Sequence, residues 1–377
     1  MLQVIIVPQI LHVPFRNMRS SFPLSIILFL GCREKPDQSD TSAPRIIQYD
    51  AGMRDISFVD HRGKELLMTV WYPTSLEDER LPDFYEPFSI SLNAYKSTTP
   101  IVENAPLIAF SHGFFAIRYQ SAFLMEHLAE QGFVVVAVDH PFNTLYDFED
   151  EQTPIVLLER PDDLRSAVDK VIELSDNETD PLFGKVDGSK YIVMGHSFGS
   201  HTATVLGGGE LDYDGLVEFC TDFPSERACA YLNGLQNVDV SQYGGADNRV
   251  IATIPISPGL WYTFGADGSG LNSVINPLVL VGRDDDVLEF DGEAIPYFSE
   301  LSSPKHIFTM EKTGHYGMTN ICDIAGFLSE ECTEDGWQSI EKVQSATEDI
   351  VTKFVYHHFA GAEFFVEEKD WILQQTE

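Results

Sequence analysis

From about residue 50 the chain alternates between two hydrophobic patterns. "ISFVD" and "ELLMTVWYP" are short runs that predict antiparallel strands. "APLIAFSHG" is an unbroken apolar run ending at Gly113, "SAFLMEHLAEQG" has helical spacing and stops at Gly132, and "FVVVAVDHP" is a second buried strand. "RPDDLRSAVDKVIELSD" opens on proline and acidic residues, as a helix N-terminus does, and carries apolar residues three and four apart. The strand "YIVMGHS", a small-residue helix and the strands "VIATIPISPG", "INPLVLVGRDDD" and "KHIFTMEKTGH" follow, and a helical pattern, "SIEKVQSATEDIVTKFVYHHFAG", closes the series. Apolar strands without alternation, separated by helices, predict an α/β fold with a mostly parallel central sheet covered by helices on both faces. In such a sheet functional groups gather at the carboxyl ends of the strands.

Three of those ends carry chemistry. Ser197 stands in "GHSFGS" between a strand and a helix, flanked by Gly195 and Gly199. This spacing allows a tight turn that exposes the hydroxyl, and the helix beginning near Phe198 aims unpaired N–H groups at the same spot. Asp284, Asp285 and Asp286 follow a later strand, and His315 follows the last. Serine, acid, histidine is the chain order of an α/β-hydrolase fold. In such a triad the histidine takes the serine proton, and an aspartate holds its tautomer.

Composition narrows the partners. With 59 acidic against 24 basic residues the net charge is −35, which disfavours nucleic acid and anionic surfaces. Near the N-terminus, Arg19 and the apolar run Phe22 to Leu30 are too short for a comfortable bilayer span and look like an export signal, with Met18 a possible start. "FLGC" resembles a bacterial lipobox, which makes Cys32 the lipidated mature N-terminus and attaches the protein to a membrane of the cell envelope. A plain secretory signal and an uncleaved anchor helix are the alternatives. Residues 33–47 read as a flexible tether, 48–363 as the catalytic domain with a small cap-like insertion at 207–249, and 364–377 as a tail. The insertion reads equally as a surface excursion. In an oxidising compartment Cys220, Cys229, Cys322 and Cys332 permit three pairings, and the two local ones, Cys220 with Cys229 and Cys322 with Cys332, are expected. Zinc is a weaker alternative, because neither pair has the short spacing of common structural sites.

Taken in order, "VWYP", "FSHGF", "HLAEQGFVVVAVDHP", "RPDDLRSAVDKVIEL", "GHSFGS" and "GHYGMTNIC" resemble the bacterial dienelactone-hydrolase-like esterases related to plasma-type platelet-activating factor acetylhydrolase, over roughly residues 48–360. The resemblance implies an α/β-hydrolase cleaving carboxylic esters, with Ser197 as nucleophile and His315 as base. It also implies an oxyanion hole made by the N–H groups of Phe114 and Phe198. In the plasma-type enzymes the acid follows the strand matching "IATIPIS", where this chain has Ser257. The dienelactone-type Gly-X-X-Asp arrangement instead picks Asp285. Alternation along an extended chain then turns Asp284 away, and Asp286 is the nearer rival.

Phe115, Trp261 and Tyr262 are candidate walls of a substrate pocket, and core packing is the competing reading. His112, His140 and His196 are expected to brace loops by hydrogen bonds rather than bind metal, and the aspartate run lacks the spacing of a calcium loop. No metal or cofactor is expected. The leading reading is an exported serine esterase acting on a small ester or lipid: short acyl, phospholipid or polyester bonds. A peptidase or amidase with the same triad and a non-catalytic lipoprotein scaffold are the alternatives.

Overall fold

The apolar runs assemble into one large sheet in the computed structural model, which describes residues 48–377 apart from 77–81, 86–89, 92 and 334. The expected signal, Cys32 and the whole of the tether lie outside the described residues. The strands are β1 (Asp50–Val59), β2 (Glu65–Thr74), β3 (Phe84–Tyr85), β4 (Ile90–Ser91), β5 (Ala94–Lys96), β6 (Ala105–Ser111), β7 (Val134–Val138), β8 (Val186–His196), β9 (Val250–Ile256), β10 (Leu278–Gly282), β11 (His306–Met310) and β12 (Ile372–Thr376). Ten of them form the main sheet in the order β12-β11-β10-β9-β8-β6-β7-β2-β1-β5, and β3 pairs with β4 apart from it. From β7 through β6, β8, β9 and β10 to β11 all neighbours are parallel, while β2 and β12 join antiparallel. This is an α/β-hydrolase fold.

The helices are α1 (Ala122–Glu130), α2 (Thr153–Asp176), α3 (Phe198–Leu206), α4 (Tyr213–Asp222), α5 (Leu232–Leu235), α6 (Ile295–Glu300), α7 (Ile321–Ala325) and α8 (Ile340–Ala360). Side-chain alternation divides each central strand between two cores. Ile108, Phe110, Ile192 and Met194 pack against α1 and α8, whereas Leu107, Ala109, Tyr191 and Val193 pack against α2 and α3. Both faces of the parallel strands are therefore dry, which explains their unbroken apolar runs.

Two expected boundaries move. The proline-acid pattern puts a helix start at Arg160, but α2 begins at Thr153, with Pro154 in its first turn and Pro161 inside. Pro161 has no N–H to donate to the preceding turn. Val156 and Leu157 bury against Phe198, Leu216 and Leu260, and that packing carries the helix across the proline. The expected tail also contributes structure: Ile372–Thr376 pairs with His306–Met310 and completes one sheet edge.

The insertion after α3 is largely helical. Asp212 caps α4 by accepting from Gly215 N–H at 2.9 Å, and a disulfide joins Cys220 to Cys229. A second disulfide joins Cys322 to Cys332. Both local pairs form, as expected of a protein in an exported, oxidising setting. Among the described residues no helix is long and apolar enough to cross a membrane.

Candidate active site

Between the end of β8 at His196 and the start of α3 at Phe198, Ser197 alone makes the turn, with φ 54° and ψ −120°. Such a backbone costs a non-glycine residue on the order of 1–3 kcal/mol and persists only where its surroundings enforce it. Here Ser197 N–H donates to the Ile256 carbonyl at 2.9 Å. The flanking glycines allow close approach: a Cβ on Gly195 would collide with the Gly199 carbonyl, and one on Gly199 with the Ser111 carbonyl.

The loop after β10 supplies Asp285, and the loop after β11 supplies His315. Asp285 Oδ1 accepts from the N–H groups of Val287 at 2.9 Å and Leu288 at 2.7 Å. Its Oδ2 faces His315 Nδ1 at 2.7 Å, and both residues are buried. A carboxylate partner makes Nδ1 the protonated nitrogen of the neutral ring and leaves Nε2 as the ring's acceptor. Asp284 is exposed, and its Oδ2 accepts from Lys312 N–H at 2.8 Å. Asp286 is exposed as well. Of the three aspartates, Asp285 alone is hydrogen-bonded to His315.

Ser197 and His315 line one cavity of about 460 Å³ together with Phe114, Phe198, Leu260 and Leu288, and the insertion adds Arg227 and Tyr231. The insertion thus forms part of the cavity wall. Among the described residues, no acceptor takes the N–H of Phe114 or Phe198, so both donors remain available near Ser197. The three expected wall aromatics do not line the cavity. Tyr262 is buried and stacks on Phe219 with ring centroids 4.3 Å apart, and Trp261 donates its indole N–H to the Gly292 carbonyl at 3.0 Å. Phe115 packs edge-on against Phe148. Core packing claims the first two, and the cavity uses Leu260 from the same segment instead.

The PET hydrolase-like family, PETase, matches residues 94–211, which span the loop carrying Phe114 and the serine turn. The match covers the segment that carries Ser197, and the sheet around that segment has the α/β-hydrolase fold. The chain also shares its fold with a ferulic acid esterase from Streptomyces cinnamoneus, with a TM-score of 0.57 and 18% identity over 89% of this chain and 98% of that one. No curated protein matches the sequence.

Beneath the site the buried histidines brace loops. His196 Nε2 donates to the His315 carbonyl at 2.8 Å, its Nδ1 accepts from Gln120 Nε2 at 2.9 Å, and Gln120 Oε1 accepts from Gly113 N–H at 2.6 Å. His112 Nδ1 donates to the Gly113 carbonyl at 2.7 Å and Nε2 accepts from His140 N–H at 3.1 Å, which polarises and orients the peptide carrying Phe114 N–H. Burial holds His112, His140 and His196 well below the usual histidine pKa, so all three stay neutral.

Arg160 was not singled out by the sequence, yet it ties these loops together. Its guanidinium donates to the His112 carbonyl, to Asn143 Oδ1 at 2.7 Å and to Thr202 Oγ1 at 3.1 Å, and it lies 4.7 Å from the centre of the Phe198 ring. Burial lowers its pKa to about 9. A second serine-histidine-aspartate chain also emerges, with Ser111 Oγ 2.9 Å from His140 Nε2 and His140 Nδ1 3.1 Å from Asp163 Oδ2. All three residues are 0% exposed, so this chain cannot meet a substrate and serves as internal bracing. Its only sequence signal was a cluster of polar residues in otherwise apolar elements.

Proposed function

We propose that the protein is a serine carboxylic-ester hydrolase working through Ser197, His315 and Asp285 and an acyl-enzyme. One observation carries the reading: a strained serine and a carboxylate-bound histidine line the same cavity. His315 Nε2 takes the Ser197 Oγ proton as Oγ attacks the ester carbonyl. Charge gathers on the carbonyl oxygen, where the N–H groups of Phe114 and Phe198 meet it. Such donors contribute roughly 3–4 kcal/mol each to transition-state stabilisation. The imidazolium, steadied by Asp285, then protonates the departing alcohol. Water repeats the cycle on the acyl-enzyme, giving the free acid and restoring Ser197.

A cavity of about 460 Å³ walled by Phe114, Phe198, Leu260 and Leu288 suits short acyl chains. Phospholipid acyl groups, in the manner of platelet-activating factor acetylhydrolases, and polyester or aryl-ester bonds, in the manner of the matched family and structure, are the candidate substrates. We further propose that Cys32 carries a lipid anchor to the cell envelope, supported by "FLGC" and the export-type disulfides. The deciding experiment compares wild type with Ser197→Ala on p-nitrophenyl butyrate, a short-acyl phospholipid, methyl ferulate and a p-nitroanilide. Ester turnover that disappears in Ser197→Ala, with little anilide cleavage, supports the reading. Full ester turnover in the variant overturns it.

A further inference from the structure

His315 occupies a loop between β11 and α7 with no strand or helix of its own, so its ring depends on whatever holds the backbone on either side. Glu331 holds both sides. Its Oε2 accepts from Gly314 N–H at 2.9 Å and its Oε1 from Tyr316 N–H at 2.6 Å. Two amides bonded to one carboxyl group fix its direction as well as its distance, and they oppose the rise in pKa that burial imposes on it. Ser329 Oγ donates to Oε1 at 3.3 Å. The carboxylate is buried, and the glycines of "GHYG" make its berth: a Cβ on Gly314 would lie 2.8 Å from the carboxylate oxygens, and one on Gly317 would lie 3.2 Å from Oε2. The motif around His315 is therefore shaped to a residue sixteen positions away.

The next residue, Cys332, is bonded to Cys322 of α7, with 5.2 Å between Cα atoms. That link ties the turn carrying Glu331 back to the segment that follows the histidine loop. We propose that Glu331, held in place by the Cys322–Cys332 disulfide, is a positioning residue that aims His315 for proton transfer, so that loss of either slows turnover without weakening substrate binding. The inference rests on reading His315 as the base. Among the described residues, the charged and titratable groups around His315 include Asp285 at Nδ1, Glu331 behind the backbone, the neutral His196 ring with its centroid 4.7 Å away, the Tyr316 ring at 5.0 Å, Arg227 in the same cavity wall and Asp286 near Tyr316. Asp285 and Glu331 are the carboxyl groups held closest to the loop, and burial raises the Glu331 pKa while its two amide donors and His315 lower it.

The test uses Glu331→Gln, the paired change Cys322→Ser with Cys332→Ser, and their combination, each checked for folding by circular dichroism and assayed on p-nitrophenyl butyrate across pH. We expect Glu331→Gln to lose roughly tenfold or more in kcat with KM within twofold, and the acid limb of its kcat/KM profile to move to lower pH as the carboxylate near the imidazole is removed. The cysteine pair should lose kcat in the same way, and the combination little more than Glu331→Gln alone, because both changes release one device. Wild-type kcat in folded Glu331→Gln overturns the proposal, and so does a cysteine-pair variant that is folded and fully active. Additive losses in the combination overturn the link between the two. An active Ser197→Ala variant would instead remove the underlying reading, so the two failures are distinguishable.

Discussion

His196 Nε2 stands 2.8 Å from the carbonyl oxygen of His315, so the residue before Ser197 grips the backbone of the histidine that lines the same cavity. Through Gln120 the same ring reaches Gly113 N–H, beside the oxyanion loop. Three loops from three strands are thereby held in one register. His196→Ala leaves Gln120 and the His315 carbonyl without their partner, and a buried polar group so stranded costs about 1–3 kcal/mol. The expected outcome is a lower urea midpoint together with a fall in kcat that exceeds any change in KM. Urea melts and steady-state kinetics check it.

Asp285→Asn should be nearly inactive. The amide offers the wrong group to His315 Nδ1 and disfavours the productive tautomer, an effect of about ten-thousand-fold in the comparable serine-protease case. Asp284→Asn should keep activity within about twofold, because Asp284 is exposed and bonds only to the Lys312 amide. The ratio of their kcat/KM values on one ester is the measurement.

Glu126 predicts a pH effect on stability. This buried carboxyl on α1 accepts from Tyr85 Oη at 2.7 Å and from Asn93 N–H at 2.8 Å, and burial raises its pKa to about 8. Between about pH 4.5 and 8 the folded state holds a proton that the unfolded state has released, so stability falls as pH rises through that window. Glu126→Gln should flatten this part of the profile, and thermal melts of both proteins from pH 5 to 8 will show whether it does.

Replacing Cys220 and Cys229 by serine should cost about 2–3 kcal/mol by freeing the unfolded chain. It should also raise KM, because the bridged segment carries Arg227 into the cavity wall and leads directly to Tyr231 there. Denaturation and ester kinetics on the same variant test the two effects separately.

Local chemistry was enough to determine the sheet. Runs such as "VVVAV" can be buried only with both faces covered, and the alternation with helical spacing leaves few arrangements besides a parallel α/β sheet. The serine turn was equally legible, because strand, Gly-X-Ser-X-Gly and helix are neighbours in sequence. The Gly-X-X-Asp arrangement picked Asp285 from three adjacent aspartates, and in the fold Asp285 alone of the three is hydrogen-bonded to a histidine thirty residues away. The cavity wall was not legible, since Trp261 and Tyr262 look the same in sequence whether they face a ligand or pack on Phe219. Arg160, Gln120 and Glu331 left no local pattern either. Their partners lie on other strands and loops, and a hydrogen bond between distant segments has no periodicity to betray it until the chain is folded.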